Sequence, residues 1–159
     1  MFKLSRLADY AVVTMVELGR HVELVTAPAL AQETGLPEPT VAKLLKVLLA
    51  DGLLQSRRGA RGGYELALPL KDISIARVIA AVDGPVMVTA CVDGGDCGCT
   101  SGCSLKGKWD VVNDAIRATL EAISLADMTR GAPDGAGGLS AGVRRGPESA
   151  APGAAVLGG

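Results

Sequence analysis

The chain has 159 residues, 48% of them apolar, and a formal net charge of −1. This length suits one domain with an appended element, and the apolar share excludes wholesale disorder. The near-neutral balance excludes a bulk basic or acidic surface as the basis of function, so charge has to be read locally. Aromatic residues make up only 3%, which leaves Leu, Val, Ile and Ala to build the core and leans the chain toward helix. No apolar stretch reaches the roughly 18 uninterrupted residues of a membrane span. The best, 73–92, is broken by Arg77, Asp83, Gly84 and Pro85, so no membrane partner is expected. Lys3 and Arg6 precede an apolar stretch, but Asp9 and Glu17 interrupt it and no small-residue cleavage site follows. A cytoplasmic protein without a signal peptide is expected.

In chain order, residues 5–20 predict a helix with Ser5 as N-cap and a stripe of Leu7, Ala8, Ala11, Met15 and Leu18. Tyr10, Val13 and Val16 make the opposite side apolar as well, so this helix is expected to bury more than one side, in a core or between subunits. Residues 27–34 predict a second helix, Gly35 a tight turn, and Pro37-Glu38-Pro39-Thr40 the start of a third. Pro39 suits a first helical turn, where a missing N–H costs nothing. Val41, Leu44, Leu45, Leu48 and Leu49 form the buried face of that helix, and Gly52 stops it. Leu53-Leu54 and Tyr64-Glu65-Leu66 predict strands around a Gly/Arg hairpin tip. Residues 73–82 predict a short helix ended by Asp83-Gly84-Pro85. A long helix is expected over 104–128, striped by Trp109, Val112, Ile116, Leu120 and Ile123. Residues 131–159 hold nine of the 21 glycines with no hydrophobic period, the composition of a disordered tail.

Helix, glycine turn, helix and two-stranded ribbon form the winged helix-turn-helix pattern, whose second helix fits a DNA major groove. Between residues 39 and 64, Lys43, Lys46, Arg57, Arg58 and Arg61 face only Asp51, a local balance of +4. Thr40, Lys43 and Lys46 lie opposite the leucines of the third helix. At the tip, Gly59, Gly62 and Gly63 let backbone approach phosphates, and Arg57, Arg58 and Arg61 suit bidentate contacts. A solvated basic face on a plain hairpin is the bland alternative, and three coinciding features weigh against it. The fold class expected is mainly α with a small β-wing, a winged helix-turn-helix plus a long dimerisation helix. The domains expected are 1–82 for DNA binding, 83–103 for a cysteine loop, 104–130 for dimerisation and 131–159 for the tail.

The four cysteines, Cys91, Cys97, Cys99 and Cys103, all lie within thirteen residues, spaced C-x5-C-x-C-x3-C. In a reducing compartment such a cluster reads as metal or redox chemistry before disulfides. The two close C-x2-C pairs typical of structural zinc are absent, and iron–sulfur loops tolerate irregular spacing because their ligands wrap a larger object. Cys103 and Ser104 are expected at the start of the long helix, where free N–H groups favour thiolate. Zinc and redox thiols remain alternatives. A thiol enzyme using Cys97 and Cys99 is disfavoured, because no C-x-x-C opens a helix and no second catalytic group converges on the loop. No catalytic residue, enzymatic activity or small-molecule substrate is expected.

Leu4 to Met15 (LSRLADYAVVTM), Thr34 to Leu48 (TGLPEPTVAKLLKVL) and Gly52 to Ala67 (GLLQSRRGARGGYELA) resemble the small winged-helix iron–sulfur transcription regulators that include IscR and NsrR. The resemblance runs from about residue 3 to 128 and is closest in phrasing to the branch that regulates the SUF iron–sulfur assembly genes. It implies a homodimer on a double-stranded, pseudo-palindromic operator, with Arg58 and the wing glycines touching the groove and Thr40 and Lys43 on the recognition helix. Ala42 stands where IscR has an operator-selecting acidic residue, so the operator sequence does not carry over. Cys91, Cys97 and Cys103 match the C-x5-C-x5-C cluster motif. Lys106 replaces the IscR ligand histidine. That leaves Cys99, or Asp9, at the place where NsrR-type regulators lend a carboxylate from the other subunit; the bland reading of Asp9 is a carboxylate favoured by a helix N-terminus. The resemblance to NsrR favours Asp9 and a 4Fe–4S cluster over 2Fe–2S. A zinc-stabilised DNA-binding protein and a nitric-oxide or redox-responsive repressor of the same family are the alternatives.

Overall fold

Ser5 starts the first helix by accepting the Ala8 amide on its Oγ at 3.0 Å, which satisfies a donor that the helix itself cannot. The computed structural model describes residues 3–92, 103–105 and 107–130, and in it α1 spans Arg6–Leu18. Ala8, Ala11, Met15 and Leu18 are buried as the expected stripe, with Leu7 packed beside them. The second apolar side is largely absorbed by the same core, since Tyr10 and Val16 pack against it while Val13 stands exposed.

Helix α2, Ala27–Thr34, is capped by Thr26 and ends at Gly35, whose φ of +69° is the left-handed conformation that glycine adopts without cost. Helix α3, Glu38–Ala50, follows with Pro39 in its first turn and buries Val41, Leu44, Leu45 and Leu48. Gly52, at φ +76°, turns the chain into the ribbon. Strands β1, Leu54–Arg57, and β2, Gly63–Leu66, pair antiparallel with Leu54 opposite Leu66 and Arg57 opposite Gly63. The base of this ribbon is also stitched to the segment before α2. The Val25 amide donates to the Tyr64 carbonyl at 3.0 Å, and the Tyr64 amide returns to the Val25 carbonyl at 2.8 Å. Gly63 permits that closeness, because a Cβ there would stand 2.7 Å from the Val25 carbonyl oxygen.

A 3-10 turn, Leu70–Asp72, leads to α4, Ile75–Asp83, capped by Ser74. Ile73 is buried in extended backbone just before it rather than in the helix. Helix α4 packs on α1 and α3, so the core lies between the helix-turn-helix and this fourth helix.

The single long helix expected over 104–128 is not what forms. Helix α5 begins at Trp109 and ends at Ala122, and a separate α6 covers Leu125–Thr129. At the front, Gly107 has φ +75°, a conformation outside the helix. At the back, Ser124 and Asp127 form a reciprocal capping box that starts a new helix. Pairing with the entry to α4 holds the break open: the Ile75 amide donates to the Ile123 carbonyl at 2.9 Å. Leu125 is then fully buried in the common core. The expected stripe on α5 also divides. Leu120 packs against the chain's own core and Ile116 is half-buried, whereas Trp109, Val112 and Ile123 are exposed. No helix among the described residues is long and apolar enough to cross a membrane. The tail expected over 131–159 lies outside the described residues.

Candidate nucleic-acid interface and cysteine segment

The buried leucines of α3 decide which of its residues face solvent. With Leu44, Leu45 and Leu48 inward, Lys43 and Lys46 are exposed and Thr40 is half-exposed, so the three share the outer side of the second helix of the helix-turn-helix. At the wing, Arg57, Arg58, Gly59 and Arg61 are exposed and Gly62 is half-buried. The five residues 58–62 between the paired Arg57 and Gly63 turn tightly. Gly59 takes φ +116°, and the Gly62 amide donates to the Gly59 carbonyl at 2.9 Å. A side chain on Gly62 would collide with the Arg57 carbonyl, so this turn accepts only glycine there.

The wing arginines differ in freedom. Arg57 lies 3.8 Å from Glu65 across the ribbon, an exposed pair of the kind worth little in stability but able to orient a side chain. Arg58 and Arg61 make no ion pair among the described residues. Both can therefore turn toward an anionic backbone or a base edge without first giving up a partner. Along the chain from Pro39 to Tyr64, which carries these cations, Asp51 is the one carboxylate. That residue is engaged by Arg77 of α4 at 4.0 Å.

Of the cysteines, Cys91 is half-buried and Cys103 exposed, and both are free thiols. Thr89 Oγ1 lies 3.2 Å from Cys91 Sγ. Cys97 and Cys99 lie outside the described residues. Cys103 does not stand at a helix start as expected: α5 begins only at Trp109, six residues beyond the thiol, so the free N–H groups of that helix do not adjoin it. Asp9 is exposed on the first turn of α1, with no side-chain partner among the described residues. Two thiols at the ends of a four-cysteine segment, neither in a disulfide, form a soft donor set that suits iron–sulfur chemistry.

One residue that composition alone does not single out helps to hold this segment. Asn113 of α5 is fully buried, and its Oδ1 accepts from the Val88 amide at 3.1 Å. This bond ties the approach to Cys91 onto α5. A lone Asn on a helix reads as a solvent-facing residue, so only its three-dimensional neighbours reveal it.

Comparison with known proteins agrees with this arrangement. A protein of Mycobacterium tuberculosis named as an HTH-type transcriptional regulator is 36% identical over 135 residues, covering 82% of this chain and 83% of the relative. The HTH-type transcriptional regulator IscR of Vibrio atlanticus is 30% identical over 130 residues, covering 80% of this chain and 75% of the relative. Among solved structures, IscR of T. potens matches with a TM-score of 0.62 at 32% identity, covering 80% of this chain and 85% of that one. CymR, the global cysteine regulator of B. subtilis, matches with a TM-score of 0.65 at 26% identity, covering 80% and 96%. These proteins are transcription regulators rather than enzymes, and the mainly helical winged fold is shared with them. A family model described as "Iron-dependent Transcriptional regulator" matches residues 4–131. The chain is a DNA-binding transcription regulator and belongs to the Rrf2 family.

Proposed function

We propose that this regulator senses an iron–sulfur cluster in the segment between α4 and α5 and answers by changing its grip on an operator. The observation that carries the reading is the pair of unbridged thiols, Cys91 and Cys103, at the two ends of a four-cysteine segment joined to a winged helix-turn-helix. Cys91, Cys97 and Cys103 would hold the cluster, with Asp9 as fourth ligand and Cys99 as the competing one. The cluster, 4Fe–4S in preference to 2Fe–2S, would supply a labile, redox-sensitive charge at this segment. Family membership and relatives named IscR support the reading.

DNA contact is assigned to Thr40, Lys43 and Lys46 on α3 and to Arg57, Arg58, Gly59, Arg61 and Gly62 at the wing. The protein works in the cytoplasm as a homodimer through α5. Trp109, Val111 and Val112 are 37%, 75% and 42% exposed there, an apolar surface on one helix that a second copy would cover. The target genes are those of SUF-type iron–sulfur assembly, a choice that rests on the phrasing of residues 4–15, 34–48 and 52–67.

The test is anaerobic reconstitution of the full chain, followed by visible absorption, iron and sulfide analysis, and sedimentation. One cluster per chain and a dimer are expected. Ala at Cys91, Cys97 or Cys103 should abolish the cluster and change operator affinity, and three variants that all keep a full cluster would refute the assignment.

A further inference from the structure

At the junction of α1 and α2, Glu17, His21 and Glu33 converge from three places in the chain. Glu17 lies half-buried in the last turn of α1, His21 follows that helix in the turn, and Glu33 lies in the last turn of α2. One ligand atom from each, two carboxylate oxygens and an imidazole nitrogen, lies within 4.8 Å of the others. His21 Nε2 is 2.8 Å from Glu33 Oε2. A carboxylate only accepts, so Nε2 carries the proton in this state. Among the described residues Glu17 is held by Arg20 alone, at 3.2 Å, an arginine two-thirds in solvent. Two carboxylates are thus directed at one imidazole that can satisfy only one of them.

We propose that Glu17, His21 and Glu33 bind a divalent first-row transition-metal ion that clamps the end of α1 to α2. The donor set is chemically apt: one imidazole and two carboxylates match zinc and its neighbours, and leave a position for water. At zinc–nitrogen and zinc–oxygen bonds of about 2.1 Å, tetrahedral ligands stand about 3.4 Å apart. The His21–Glu33 contact therefore opens slightly and Glu17 closes in, both by rotation of long side chains on fixed helices. The ion binds Nε2 in place of its proton, with the imidazole in the tautomer that is protonated on Nδ1. Arg20 then gives up Glu17 to solvent-exposed freedom at little cost. Because α2 is the first helix of the helix-turn-helix, the clamp restrains the element that sets the seat of α3. The site uses no cysteine and is independent of the cluster proposal.

His21 is the single histidine of the chain, so its ring signals in NMR report on this site alone, whatever the thiols bind. Zinc chloride is titrated into the full chain, and into Glu17→Gln, Glu33→Gln and His21→Ala, all purified anaerobically. The His21 ring signals should shift saturably in the parent. Each Gln variant should raise the midpoint about tenfold or more, since even outer-shell partners of a metal are worth about 10–100-fold. Excess zinc should raise the melting temperature of the parent by more than that of His21→Ala. Ring signals that stay put, equal midpoints in the parent and both Gln variants, or equal thermal shifts in parent and His21→Ala would each overturn the proposal.

Discussion

The Leu125 amide donates to the Ile73 carbonyl at 2.8 Å, and this bond returns the chain after α5 to the entrance of α4. Leu125 follows it into the core and is fully buried, while Met128 on the next turn is 55% exposed. The short α6 is therefore part of the same core as α1 to α4, and α5 is anchored to that core at its far end. Leu125→Ala should cost about 2–5 kcal/mol, a transfer loss plus the cavity left behind. Met128→Ala should stay within about 0.5 kcal/mol. Urea unfolding of both variants at one protein concentration checks this, and equal losses would show that α6 does not dock.

At the DNA surface, Arg58→Ala should weaken operator binding more than non-specific binding, by roughly 1–3 kcal/mol if its guanidinium reads a base edge. Lys46→Ala should weaken both about equally and reduce the salt slope by about one. Fluorescence anisotropy over a range of salt concentrations, on operator and scrambled duplexes, separates the two. Equal salt-dependent losses would reduce the wing to a phosphate clamp.

For the fourth ligand, Asp9→Ala should change the cluster spectrum and shorten cluster lifetime, and Cys99→Ala should leave both intact. Asp9 is free of side-chain partners among the described residues, so its removal disturbs little else in its own chain. Absorption and circular dichroism of anaerobically purified variants are the measurement, and the opposite pattern assigns the ligand to Cys99.

The capping box at α6 makes a pH-dependent prediction. Ser124 donates to Asp127 through its hydroxyl at 2.7 Å and its amide at 3.0 Å. The hydroxyl bond first, then the amide bond, with Arg130 adding attraction, holds the Asp127 carboxyl below its ordinary 3.8. A lowered folded value means that the stabilisation is present above the ordinary value and is lost as pH falls through the lowered one. Ser124→Ala should therefore destabilise the protein at neutral pH, and the part of that loss due to the Asp127 carboxylate should fall away as pH drops through its lowered value, while the part due to the lost cap on the Asp127 amide remains. Asp127 should titrate closer to its ordinary value in the variant, as read from carboxyl carbon shifts.

Much of the reading body is legible in chain order because its punctuation is local. Ser5, Gly35 and Gly52 end or begin helices through contacts within a few residues, and the leucine period of α3 settles which side carries Lys43 and Lys46. The break after α5 is not legible in that way. The apolar period runs on through Ile123, and the interruption comes from pairing with Ile73 and Ile75, some fifty residues earlier. The same limit hides the α5 stripe's division, since Leu120 finds its own core while Val112 does not. Asn113, Glu17, His21 and Glu33 each look like ordinary surface residues until the fold brings their partners beside them. The place of Cys103 relative to a helix depends on Gly107, whose conformation no period announces.

The seam between Val25 and Tyr64 bears on how a signal could reach DNA. It binds the ribbon to the entrance of α2 at the point where Gly63 lets the two backbones lie closer than a side chain would allow, and α3 runs into β1 with only a short turn between them. If α3 and the wing contact DNA as proposed, these ties would make them move as one unit. In the proposed dimer, a signal from the cysteine segment would then be expressed as a change in the spacing and angular phase of the two units. A duplex carrying a single half-site would be bound alike in both signalling states, and discrimination would arise only where two half-sites sit at a fixed separation along the helix axis.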